Sequence, residues 1–103
     1  MYKIECYVPD SHLEVVKKAM FSAGAGRVGD YDCCAWQTKG QGQYRPLEGS
    51  SPYKGTTGQL EQADEYKIEL VCAGEKLAEA IAAMKAGHPY EEPAYSVVKL
   101  ELF

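Results

Sequence analysis

Residues 2–23, YKIECYVPDSHLEVVKKAMFSA, decide the fold. Tyr2, Ile4, Cys6 and Val8 alternate with Lys3, Glu5 and Tyr7, the two-residue period of a strand that buries one face. Pro9 ends the alternation. Ser11 and Glu14 then have the spacing of a capping box, in which the hydroxyl bonds forward to a free helix amide and the carboxylate reaches back. Leu13, Val16, Met20 and Ala23 recur at three- and four-residue spacing, so the strand runs into a helix with one apolar stripe. Glu14 and Lys18 are placed for an i,i+4 ion pair on its wet side. Gly24 and Gly26 stop the helix.

The same order returns later in the chain. Over residues 65–73 Tyr66, Ile68, Leu70 and Cys72 face inward and Glu65, Lys67 and Glu69 outward, which predicts a strand. A helix over 75–86 follows, with Leu77, Ile81 and Met84 on its core stripe and Gly87 at its end. Residues 31–39 predict a strand with Tyr31, Cys33 and Ala35 on one face and Cys34, Trp36 and Thr38 on the other. Apolar groups on both faces suggest cover from the core and from something else, such as another subunit. At the end of the chain Val98, Leu100 and Leu102 alternate with Val97, Lys99 and Glu101 as a last strand.

Two strand–helix–strand units joined by right-handed crossovers predict an α+β, ferredoxin-like βαββαβ sandwich, a four-stranded antiparallel sheet with both helices on one face. The other face stays open. Tyr7, Trp36, Val71 and Val97 are expected there among charged residues, a mixture that seats a partner surface.

The 103 residues make a single domain, 1–103, interrupted by a long loop at about 40–60. Eleven basic residues against 15 acidic ones leave a net charge of −4, the opposite of a nucleic-acid binder's balance. The longest apolar stretch, around 78–86, is broken by Glu79 and Lys85 and falls far short of the ~20 residues a membrane span needs. Met1 leads straight into the first strand with no leader pattern, so a cytoplasmic location is expected. Cys6, Cys33, Cys34 and Cys72 form no C-x-x-C pair, which supports neither a zinc ribbon nor a disulfide scaffold. Cys6 and Cys72 fall on inward stripes and read as core. No Cys–His spacing suggests a nucleophile.

The loop over 40–60 holds five glycines and two prolines, yet also Tyr44, Arg45, Leu47 and Tyr53, more than a solvated linker needs. In one reading its glycines let backbone amides approach an anion, with Arg45 as the clamp and Glu48 and Tyr53 beside it as ligand-binding residues. In the other it packs against a neighbouring subunit. The lysine–serine or lysine–threonine ending of a nucleotide-binding P-loop is missing. His88, Glu91 and Glu92 offer a nitrogen and two carboxylates to a divalent ion. Alternatively His88 and Pro89 close the second helix and orient the last strand, the imidazole complementing the helix dipole.

Three motifs carry a resemblance over essentially the whole chain: Ala23-Gly24-Ala25-Gly26-Arg27-Val28-Gly29-Asp30-Tyr31-Asp32, the run from Gly42 to Gly49 with Ser51-Pro52-Tyr53, Gly55 and Gly58, and His88-Pro89-Tyr90-Glu91-Glu92-Pro93-Ala94-Tyr95. The chain resembles a freestanding version of the small domain inserted into the Nif-three-like proteins, the GTP cyclohydrolase type-two homologues. That domain is similar to PII signalling proteins and to the CutA divalent-cation-tolerance family, which are ferredoxin-like trimers. The resemblance implies a homo-oligomer, a trimer by analogy. The dinuclear metal ligands of the family belong to the flanking domain, and this chain has only His12 and His88. Where family members often carry a histidine this chain has Cys33, a softer fourth candidate ligand beside His88, Glu91 and Glu92. The expected function is therefore a non-catalytic, oligomeric module that binds or senses a small ligand or a divalent metal ion. A regulatory module acting on a partner protein is the alternative, and a metal-dependent hydrolase is a third reading that rests on the family name alone.

Overall fold

The computed structural model describes residues 1–103. Six elements follow in the order β1 (Tyr2–Pro9), α1 (Leu13–Ser22), β2 (Trp36–Tyr44), β3 (Glu61–Cys72), α2 (Gly74–Gly87) and β4 (Tyr95–Lys99). The sheet order is β2-β3-β1-β4 with every neighbour antiparallel, so each strand–helix–strand unit leaves a gap that a strand of the other unit fills. This is the predicted α+β ferredoxin-like sandwich.

The core forms where the two strand stripes meet the two helices. Ile4, Cys6 and Val8 of β1 and Ile68, Leu70 and Cys72 of β3 are buried against Val16 and Met20 of α1 and Ala80 and Met84 of α2. Leu77 and Ile81 pack at its margin. Both central strands thus alternate as an antiparallel sheet with one wet face should. Burial pushes the Cys6 thiol up to about 12, so it stays protonated and behaves as an apolar side chain.

The start of α1 differs from expectation. Residues Asp10–His12 form a turn of 3-10 helix, His12 is the residue before α1, and no side chain caps either element. Ser11 Oγ bonds instead to the neighbouring His12 Nδ1 at 2.8 Å, so the capping box does not form. Glu14 pairs with Lys17 at 2.8 Å, one residue earlier than expected, and Lys17 also donates to Gln37 Oε1 at 2.8 Å. Glu14 is 78% exposed. Glu14→Ala is accordingly expected to change unfolding free energy by less than about 0.5 kcal/mol in urea titration, the usual size for an exposed helix pair.

The second strand begins five residues later than predicted and reaches further. Val28 and Tyr31 exchange two backbone hydrogen bonds of 2.9 Å around Gly29-Asp30, a two-residue hairpin turn with Gly29 at φ +57°. Cys33 adopts φ +55°, which breaks any alternation through residues 31–35. At the other end Gly40–Tyr44, expected in the loop, pairs with Glu65–Glu61 of β3, and the irregular segment shrinks to 45–60.

The open face carries a charge network, with Lys3 Nζ 2.6 Å from a Glu69 carboxylate and Lys67 Nζ 3.6 Å from Glu5. The Lys3 ammonium holds the Glu69 carboxyl below the usual carboxylate range. Trp36 and Val71 share this face, through their pairing with Glu69 and Lys3 respectively. Val97 does not. It pairs with Ile4 and so lies on the helix side, while Val98, opposite Lys3, faces outward. The last strand also stops at Lys99, and Leu102 is exposed rather than inward.

Candidate functional site

The segment 45–60 folds back over one end of the sheet. Tyr44 Oη donates to the Lys54 carbonyl at 2.6 Å, Lys54 Nζ pairs with Glu61 at 3.4 Å, and the Gly58 amide donates to the Pro46 carbonyl at 2.8 Å. Pro46 is buried in consequence. Across from it the stretch after α2 is pinned by His88, whose two ring nitrogens are both used. Tyr90 N–H donates to Nδ1 at 3.2 Å, which leaves Nε2 to donate its proton to the Tyr7 carbonyl at 2.7 Å. Desolvation lowers the His88 pKa below its ordinary value. A neutral imidazole tying a helix end to β1 is a structural hinge-pin, not a cation on the helix dipole.

Between these walls lies a cavity of about 400 Å³. Tyr44, Tyr53 and Tyr90 line it, with ring centroids 5.9 Å apart for Tyr44–Tyr90 and 6.1 Å for Tyr53–Tyr90. His12 meets Tyr53 edge-on with ring centroids 5.7 Å apart, and the His88 and Tyr90 ring centroids are 5.0 Å apart. Arg45, Glu65, Glu91 and Glu92 supply its charges. The Glu65 carboxylate lies over Gly42, in space that a side chain there would fill. Tyr90 Oη is buried without a hydrogen-bond partner. Burial, and then the interaction with the Glu65 carboxylate, raise the Tyr90 phenol above its ordinary pKa.

Of the residues expected to bind a ligand, Arg45 and Tyr53 line this cavity and Glu48 does not. Four of the loop amides imagined as an anion cradle are spent within the chain: Ser50 donates to Leu47, Ser51 to Glu91 Oε1, Gly58 to Pro46 and Gln59 to Thr56. The expected metal ligands are not gathered. Glu91 and Glu92 line the cavity, His88 has no free nitrogen, and Cys33 follows the Gly26 connection to Val71, near the opposite end of β1 and β3. No group of three or more His, Cys, Asp or Glu side chains is arranged to hold an ion. These residues therefore do not fit a metal site within one chain. Tyr90 and Glu65 are the site residues that the sequence pattern does not reveal.

No protein-family model matches the chain. A curated Mycobacterium tuberculosis protein named GTP cyclohydrolase 1 type 2 homolog is 45% identical over 94 residues, covering 91% of this chain and 25% of that protein. The crystal structure of a Bacillus cereus protein related to NIF3 superposes with a TM-score of 0.84 at 39% identity, over 98% of this chain and 26% of the other. The chain is homologous to one segment of the Nif3-like proteins. It spans about a quarter of the length of the curated relatives it matches. The same fold also occurs alone: the periplasmic divalent cation tolerance protein CutA of Archaeoglobus fulgidus superposes with a TM-score of 0.70 at 20% identity, over all of this chain and 87% of that one. Among the elements of the segment no helix is long and apolar enough to cross a membrane.

Proposed function

We propose that this chain is a non-catalytic module that binds a small ligand in the cavity between the 45–60 segment and the stretch after α2. The observation that carries the reading is the cavity itself, about 400 Å³ bounded by tyrosine rings and four charged side chains. Concave sites of this size with aromatic walls and few polar groups are the usual seat of small molecules. The cyclohydrolase name belongs to proteins about four times as long, and no ligand cluster here supports a hydrolytic metal centre.

A thermal-shift screen of metabolites and divalent ions tests the reading. A ligand at a hundredfold its Kd should stabilise the fold by about 2.7 kcal/mol, and Tyr44→Ala or Tyr53→Ala should raise the ligand concentration needed for that shift at least tenfold. An absence of any shift across the screen overturns it.

The open sheet face favours a second role in self-association or partner binding. Trp36 stands 68% exposed there and Val98 45%, beside the Lys3–Glu69 network. A trimer, as the PII and CutA resemblance implies, should appear in native mass spectrometry and be lost with Trp36→Lys. A monomer in both forms excludes self-association.

A further inference from the structure

We infer that the ligand of the tyrosine-lined cavity is a small organic cation, an ammonium or a guanidinium group held against the rings of Tyr44, Tyr53 and Tyr90 and neutralised by Glu65. The inference rests on the ligand-binding reading above and narrows it by charge. Three carboxylates, Glu65, Glu91 and Glu92, face the cavity against the single guanidinium of Arg45. The ion pairs of the chain use Lys3, Lys17, Lys54 and Lys67, so none of these three carboxylates is neutralised by a lysine. Glu65 is half-buried, and an anionic group with part of its hydration removed attracts a cation more strongly than an exposed one does.

The rings add a second attraction. The faces of tyrosines carry negative quadrupole density, and a cation within about 6 Å of a ring centroid gains about 0.5–2 kcal/mol, more as it is desolvated. The Tyr90 ring lies about 6 Å from each of the other two, centroid to centroid, so a headgroup over it is also close to a neighbouring ring. An anion would find less. Of the loop residues that line the cavity, Pro46 and Pro52 have no amide N–H and the Ser50 amide already donates to Leu47, while the adjoining Ser51 amide donates to Glu91 itself.

Three molecules of one shape and different charge test this directly: choline, its neutral carbon isostere 3,3-dimethylbutan-1-ol, and 3,3-dimethylbutanoate. Each is titrated into the whole chain and followed by amide chemical shifts of Tyr44, Tyr53, Tyr90 and Glu91. Choline is expected to bind there about tenfold more tightly than the alcohol, and Glu65→Gln should remove most of that preference while leaving the spectrum of the core unchanged. Equal binding of choline and alcohol, or tighter binding of the carboxylate, overturns the cationic assignment and leaves the cavity as a binding site. Choline shifts confined to residues outside the cavity also overturn it. If none of the three perturbs the cavity the cationic assignment falls, and the metabolite screen then decides whether the cavity binds anything.

Discussion

Gly26→Ala is expected to be among the most damaging single substitutions in the chain, lowering unfolding free energy by about 2–5 kcal/mol, the sum of a left-handed backbone penalty and an overpacking penalty. Gly26 sits at φ +79°, where an added Cβ is disfavoured whatever the space. Here there is no space either. A Cβ would lie 2.8 Å from the Phe21 ring and 2.9 Å from the Cys34 carbonyl oxygen, and the second of these is backbone that cannot swing away. The position is also a stitch: Gly26 N–H donates to the Val71 carbonyl at 2.8 Å and its own carbonyl accepts from Cys34 N–H at 2.9 Å. Shifting it disturbs the path from α1 into β2 and the end of β3 together. Gly29→Ala is the control, because Gly29 has φ +57° and an alanine methyl there would meet nothing within 4 Å, so only the backbone penalty of about 1–2 kcal/mol applies. Urea unfolding of both variants measures the difference. Equal losses would show that the close approach at Gly26 carries no strain. A typical domain has about 5–15 kcal/mol in all, so the larger loss would leave the variant partly unfolded at growth temperature.

What is legible in the sequence follows burial. β1 and β3 each hide one face, and the hydrophobic effect writes that into a two-residue period that survives any change of context. β2 hides neither. From Trp36 to Gln41 every residue is exposed, and its strand character comes from the ladder with β3 rather than from its own side chains. A stretch containing Gly40 and Gly42 therefore reads as a loop. Val97 is misplaced by its pattern for a related reason: β4 is exposed throughout, so its period names two faces without telling which one is inside, and only the pairing of Val97 with Ile4 decides.

The cavity is half visible in the sequence. Arg45 and Tyr53 belong to a loop too rich in aromatic and charged groups to be idle, and Glu91 and Glu92 to a dense polar motif, so local composition marks them. Glu65 carries no such mark, since an outward glutamate on a half-buried strand is ordinary until a loop distant in sequence folds over it. The metal reading finds no ligand cluster within one chain through the same blindness to partners. A histidine beside two glutamates has the right ligand chemistry, but the carbonyl of Tyr7, 81 residues away, claims the imidazole first.

That claim gives His88 a second large expected effect, and one whose sign discriminates between roles. His88→Ala should cost about 2–4 kcal/mol above neutral pH, because it strands the Tyr7 carbonyl and the Tyr90 amide and leaves a void beneath the Tyr90 ring. The wild-type protein should also lose stability in mild acid. Desolvation holds the folded-state pKa of His88 below the unfolded value of 6.5, so between those two values the unfolded chain binds more protons than the folded one. Stability from this group is then complete above about pH 6.5 and falls as the pH drops toward the folded pKa. A histidinium serving the dipole of α2 would do the opposite, with a raised pKa and stability gained in acid. Denaturant midpoints for wild type and His88→Ala between pH 5 and 8 separate the cases: the gap between the two proteins should be widest at pH 8 and narrow below 6.5. A gap that widens in acid would place a positive charge on His88 in the folded state. The protonated ring could then no longer accept from the Tyr90 amide, and with that bond gone the wall of the cavity would lose its anchor to β1.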